Sequence, residues 1–167
     1  MTYFELFDIP VSLKPDQQML PARFFELSRK FHPDYHVNLP PREQAEALEK
    51  AALLNKAFRT LKDQDATIKY VLMLKGLLEE EEKYALPPEF LMEVMDLNEQ
   101  LMDLDGLNRE VLGENVKKLQ QEIYEPVQEI VEHYQEAVTG QKELLQVKEY
   151  YFKKKYLDRL ESEVGSQ

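Results

Sequence analysis

The sequence predicts an all-α protein. Three observations carry this reading. Glycine numbers only 5 in 167 residues and tryptophan is absent, a profile that suits helices better than a sheet sandwich. Leu, Glu, Lys, Gln and Ala, all strong helix formers, dominate long stretches. Apolar residues recur at three-to-four spacing along most of the chain. An apolar content of 43% is enough for a packed core, and the length allows one ordinary domain or two small ones.

Each element follows from local chemistry. Tyr3 to Phe7 form a short apolar segment closed by Asp8, Ile9 and Pro10, and read as a short packing helix rather than a strand. Asp16 is a candidate N-cap for the second helix. Pro21 complicates that start, so the regular part is expected to begin at Pro21 itself, as a first-turn proline. Phe24, Leu27 and Phe31 give this helix its apolar stripe. Pro33 lacks an N–H and disfavours the α region for the residue before it, so the helix should stop near His32. His32 and Asp34 are then presented between two rigid helices, where recognition residues tend to sit.

Asn38 to Pro41 look like the entrance of a third helix, about 41–62, with Ala45, Leu48, Ala52, Asn55, Phe58 and Leu61 at helical spacing. The second and third helices should form an antiparallel pair. A short helix from Ala66 to Leu74 ends at Gly76, a natural C-terminal stop. The acidic run Glu79 to Glu82, followed by Pro87 and Pro88, reads as a linker. Three more helical patterns follow. The first spans about 88–104. The second spans about 107–138, with apolar residues at 112, 116, 119 and 123, then at 127, 130, 134 and 138. Pro126 falls where the alternation breaks, so a kink is expected there. After Gly140 a last helix spans about 141–163. Short connections make these three an antiparallel bundle. The expected domains are 1–76, a linker at 77–87, and a bundle at 88–167.

Charge divides the chain in the same way. The net charge is −11. Residues 1–76 hold 11 Lys/Arg and 10 Asp/Glu, whereas residues 77–167 hold 10 and 22. All the negative excess therefore lies in the second half, which argues against nucleic acid as a main partner and suggests two modules with different partners. There is no cysteine, which excludes disulfides, thiolate metal sites and cysteine nucleophiles. No apolar run is long enough for a membrane span, and no leader pattern opens the chain. A bacterial cytoplasmic protein is the simplest expectation, and a mature mitochondrial matrix form would look the same.

Catalytic and metal readings find little support. His32 and His36 are four apart, but Pro33 breaks the helix that would align them. His133 stands alone among glutamates. Glu79 to Glu82 lack the alternating, glycine-containing pattern of a calcium loop. No nucleophile elbow or phosphate loop appears. The chain is not expected to be an enzyme, and no cofactor is expected.

The helix near 90–104 carries a second signal. At about 100° per residue, Phe90, Val94, Leu97, Leu101 and Leu104 share one face and suffice as a core stripe. Leu91, Met95 and Met102 fall together on another face, bordered by Met92, Asp96 and Glu99. Methionine is adaptable and common at protein-binding grooves. The strip is either a partner surface or a second buried face packed on another bundle helix.

The first 76 residues resemble a J-domain, the module by which co-chaperones engage a DnaK-type ATPase. The matching residues are Tyr3, Phe4 and Leu6; the helix from Arg23 to Phe31; His32-Pro33-Asp34; and Leu54 to Lys62. The remainder resembles the helical domain of HscB-type J-proteins of iron–sulfur cluster assembly, through Tyr3 to Phe7, Glu89 to Glu93 and Tyr156 to Leu160. There are departures. Tyr35 stands where a basic residue is common, Thr67-Ile68 replaces Arg-Ala, and the N-terminal cysteine pairs of some eukaryotic relatives are missing.

The resemblance implies that His32, Pro33 and Asp34 contact an HscA-like chaperone and promote its ATP hydrolysis, with Arg23, Arg29 and Lys30 as a basic surface for encounter. It implies equally that Leu91, Met92, Met95, Asp96, Glu99 and Tyr156 receive an IscU-type scaffold. Without it, the tripeptide alone reads as an ordinary helix stop. Two other functions stay open: a J-protein with a different client, and a non-catalytic helical adaptor.

Overall fold

A computed structural model of the protein describes residues 1–103 and 106–166. Among these residues all regular structure is helical. Eight α-helices are present: α1 (Tyr3–Phe7), α2 (Met19–Phe31), α3 (Pro41–Leu61), α4 (Gln64–Leu74), α5 (Pro88–Met102), α6 (Gly106–Tyr124), α7 (Gln128–Glu132) and α8 (Gln141–Ser166). Short 3₁₀ turns lie at Pro33–His36 and Glu125–Val127. The chain forms two compact units. The first comprises Met1–Val71 with Tyr134–Val138, the second Leu72–His133 with Thr139–Gln167.

In the first unit, α1 is fixed by a capping box. The Glu5 N–H donates to Thr2 Oγ1, and the Thr2 N–H donates to the Glu5 carboxylate. Phe4 and Phe7 are fully buried. The Tyr3 ring stacks on Tyr70 of α4, centroids 4.2 Å apart, and the Tyr3 N–H donates to the Tyr70 hydroxyl. Helix α2 starts at Met19, two residues before the expected Pro21. Pro21 is tolerated because the first N–H groups of a helix have no intrahelical acceptor. Asp16 is not the N-cap; its carboxylate accepts the Gln18 N–H in a preceding turn, and Gln18 occupies the cap.

Helices α2 and α3 run antiparallel, since Phe24 stacks on Phe58 at 4.3 Å while Phe31 meets Lys50. The core stripe of α3 differs from the expected one. Ala47, Leu54, Ala57 and Leu61 are buried, whereas Leu48 is 59% exposed and Ala45, Ala52 and Asn55 lie outside. The helix carries two overlapping apolar stripes, and the buried one is that of Ala47, Leu54, Ala57 and Leu61. Thr67, one of the departures from the J-domain pattern, is fully buried. Its hydroxyl lies 2.9 and 2.8 Å from the carbonyls of Thr60 and Asp63. The hydroxyl is thus satisfied by the end of α3, which makes its burial affordable. Gly76, at φ +71°, closes α4 as expected, with the Leu77 N–H donating to the Leu72 carbonyl.

The second unit is the expected three-helix bundle, with α6 continued by α7. Gln120 of α6 donates to Asp158 of α8, and Tyr124 packs on Tyr150, so these two helices are antiparallel. Asn98 faces Tyr156 while Phe90 lies near Lys153, so α5 runs parallel to α8. The predicted break at Pro126 is a 3₁₀ turn that resets the buried phase from Ile123 to Val127 and Val131. The helix does not continue to residue 138. It ends at Glu132, and 134–138 form a turn in which Ala137 takes φ +75° and the Val138 N–H donates to the Gln135 carbonyl.

Residues 77–87 pack closely on α8. Leu78 is buried, Lys148 Nζ lies 2.6 Å from the Glu82 carboxylate, and Tyr84 stacks on Phe152 at 4.7 Å with an interplanar angle of 2°. Phe90, Val94 and Leu97 form the α5 core stripe as expected, whereas the expectation for Leu104 lies outside the described residues. No helix among the described residues is long and apolar enough to cross a membrane.

Candidate functional sites

In the first unit, His32 caps the 3₁₀ turn that Pro33 begins, and a proline there forfeits no hydrogen bond. The Asp34 N–H donates to His32 Nδ1 at 3.2 Å. A nitrogen that accepts carries no proton, so neutral His32 holds its proton on Nε2. The Asp34 carboxylate is 85% exposed, with the His32 ring 3.5 Å away. Its acceptor capacity is left for a partner. His36 fixes the turn from the other side, donating from Nε2 to the Lys30 carbonyl at the end of α2. The turn is held from both sides by hydrogen bonds, and its acid is exposed.

The three cations named on α2 are not equivalent. Arg23 lies 3.8 Å from Asp8 and 3.6 Å from Glu26, partly engaged with its own chain. Arg29 and Lys30 are exposed near the helix C-terminus, where positive charge is favourable. Arg29 also lines an open groove of about 320 Å³ together with Phe24, Phe25, Ser28, His32, Asp34 and Tyr35. Phe25 is 71% and Tyr35 67% exposed. Neither ring was selected as a site residue from sequence. Phe25 lies off the core stripe, a signal that was available, and Tyr35 was noted only as a departure.

In the second unit, the apolar strip of α5 lies in solvent. Leu91, Met92, Met95 and Met102 are exposed, as are Asp96 and Glu99 beside them. Asp96 and Glu99 also line a groove with Asp103, Asn108 and Val111 at the α6 end. Tyr156 of α8 is half-buried, and the Asn98 amide approaches its hydroxyl at 3.5 Å. Asn98 shares a line with Leu91, Met95 and Met102 at 100° per residue, so this contact connects Tyr156 to the strip. Tyr84 and Phe152 extend the aromatic surface along α8. Burial pushes the Tyr84 hydroxyl up, with Glu149 and Glu82 adding to the effect, so it remains a neutral donor. The Lys148 hydrogen bond holds Glu82 below the ordinary glutamate range, and the Glu79 N–H assists.

No group of three or more His, Cys, Asp or Glu residues able to hold a metal occurs among the described residues. His133 lies on the surface, 3.4 Å from Glu129.

The family of HscB C-terminal domains, described as "HSCB C-terminal oligomerisation domain", matches residues 86–165. The co-chaperone protein HscB homolog of Vibrio cholerae serotype O1 is 38% identical over 102 residues, 60% of this chain and 60% of that protein. The homolog of Photobacterium profundum is 38% identical over 105 residues, 62% and 61% of the two chains. The match thus spans about three-fifths of the length of these curated relatives. In fold the likeness is nearly complete. Chaperone HscB from Vibrio cholerae superposes with a TM-score of 0.76 at 29% identity, covering 99% of this chain and 96% of that one. The human co-chaperone protein HscB gives 0.82 at 26% identity, covering 99% and 81%. By sequence in its bundle and by fold from end to end, the chain is similar to HscB co-chaperones.

Proposed function

We propose that this protein is a co-chaperone that stimulates the ATPase of an HscA-like, DnaK-type chaperone and delivers an IscU-type scaffold to it for iron–sulfur cluster transfer. Residues 1–76 act as the J-domain and 88–167 as the client-binding bundle, with 77–87 between them. The observation that supports this most is the pair of unfilled recognition surfaces on different compact units: a rigid acidic turn at Asp34, and an apolar strip at Leu91, Met92 and Met95 left in solvent. An adaptor that joins two proteins needs two such surfaces.

At the first surface, the Asp34 carboxylate forms charge-assisted bonds with an arginine of the chaperone, and His32 Nε2–H offers a donor beside it. Arg29 and Lys30 speed encounter with an acidic patch more than they deepen affinity. At the second, the scaffold covers the Leu91–Met95 strip, with Asp96 and Glu99 at its rim. The chain supplies no catalytic group. Hydrolysis belongs to the chaperone and locks the scaffold in place.

Calorimetric titration into a purified IscU-type scaffold tests the client, with a Leu91→Ala/Met92→Ala/Tyr156→Ala variant alongside. Binding weakened roughly 100-fold in the variant is expected, since a few central apolar and aromatic contacts dominate such interfaces. If the intact protein stimulates the chaperone but leaves the scaffold unbound, the client is a different protein. If it does neither, the chain is a helical adaptor of another kind.

A further inference from the structure

The second half of the chain is strongly acidic, yet α8 carries four cations between positions 153 and 159. Two of them are neutralised within the helix. Lys153 lies 3.6 Å from Glu149 and Lys154 lies 2.8 Å from Asp158. Lys155 and Arg159 are different: both are exposed, and neither pairs with any described residue. They are four residues apart and so project from one face, the face that also carries Phe152 and Tyr156. These four residues, with Tyr84 and Leu86, line an open groove of about 490 Å³. Its floor is aromatic, through the parallel Tyr84–Phe152 stack, and its rim is cationic.

Two free cations beside an aromatic floor complement a carboxylate attached to an apolar stem. The position adds direction. Tyr156 lines this groove and also meets Asn98 on the exposed strip of α5, so the groove continues the proposed client surface. On the α5 side that surface is rimmed by Asp96 and Glu99, and on the α8 side by Lys155 and Arg159. A face with opposite charges on its two rims accepts a partner in only one orientation.

We propose that Lys155 and Arg159, with Tyr84 and Tyr156, form a subsite for an acidic segment of the client, which fixes the orientation in which the scaffold is carried. This rests on the client reading above. On binding, the client places basic groups against Asp96 and Glu99 and acidic groups against Lys155 and Arg159. Arginine suits the role at position 159 because its planar fork holds a carboxylate in bidentate fashion.

The test is calorimetry of the full-length protein with a purified IscU-type scaffold at two salt concentrations. The unaltered protein is compared with Lys155→Gln/Arg159→Gln and Lys155→Glu/Arg159→Glu variants. The expected result is affinity reduced several-fold by neutralisation and roughly tenfold or more by reversal, with a flatter salt dependence for the neutral variant. Unchanged helicity by circular dichroism, and unchanged stimulation of the chaperone in the absence of scaffold, confirm that the variants are folded. An acidic-to-lysine substitution in the scaffold that restores binding to the reversed variant identifies the segment. Equal binding of the scaffold by all three proteins overturns this subsite alone. No binding of the scaffold by the unaltered protein overturns the client reading and the subsite with it.

Discussion

Between Phe25 and Tyr35, one helix end and one 3₁₀ turn supply every residue of the groove around Asp34 except Phe24, their neighbour on the same helix. The α5–α8 face is assembled differently. It draws Tyr84 from the segment between α4 and α5, Leu91 to Glu99 from one helix, and Tyr156 from another far along the chain. The first surface is local, an acidic turn beside exposed aromatic rings, organised by hydrogen bonds such as Asp34 N–H to His32 Nδ1. The second is tertiary and largely apolar, and exists only when the bundle is packed. A local turn keeps its geometry as long as its two flanking helices persist. A composite face is sensitive to anything that shifts α5 against α8.

The largest expected effect breaks the two surfaces apart. Asp34→Ala should reduce stimulation of the chaperone ATPase to the basal rate while leaving scaffold affinity unchanged, because the carboxylate belongs to the first unit and the α5 strip to the second. Steady-state ATPase assays together with calorimetry check this, and retained stimulation would end the J-domain reading. A smaller effect sharpens the description of the site around Asp34. Phe25→Ala/Tyr35→Ala removes two exposed rings beside Asp34 and should raise the concentration needed for half-maximal stimulation by roughly five- to tenfold, with the maximum rate kept. Unchanged concentration dependence would confine the site to the turn itself.

The smallest effect concerns the segment that braces the composite face. Glu82 is held below the ordinary value of 4.5 by its hydrogen bond to Lys148. A carboxyl group with a depressed folded pKa contributes stability above its unfolded pKa, and that contribution is lost as pH falls through the folded value. Glu82→Gln should therefore lower the thermal midpoint slightly at pH 7. The gap to the unaltered protein should close as the solution is acidified from pH 5 to below the folded pKa. Melting curves followed by circular dichroism across this range decide it, and a gap that persists in acid would assign the effect to something other than the ion pair.

The same contrast explains what the sequence made legible. The Gly76 stop, the Pro126 break and the two stripes of α5 were readable because each depends on neighbours within a turn or two. The stripe of α3 was misjudged because two apolar faces overlap on that helix, and only tertiary packing chooses the one with Ala47, Leu54 and Ala57. The helix end at Glu132 was missed because Tyr134 and Val138 continue the periodicity past the point where the backbone turns away. The Tyr84–Phe152 stack and the Glu82–Lys148 pair join residues more than sixty positions apart, and no local pattern announces them. His32 and Asp34 were readable as a motif. The fate of Arg23, partly engaged by Asp8 and Glu26, was not.

The exposed methionines of α5 also have a chemical consequence. Met92, Met95 and Met102 are 68%, 59% and 89% exposed, open to peroxide. Oxidation to the sulfoxide would turn an apolar strip into a polar one; Met1 and Met19 are exposed too, but neither lines the groove around Asp34. Mild peroxide treatment should therefore weaken scaffold binding while sparing the stimulation that depends on Asp34, and methionine sulfoxide reductase should restore it. Calorimetry before and after reduction reads this directly. Such a protein would stop collecting its client under oxidative stress while its other end stayed competent.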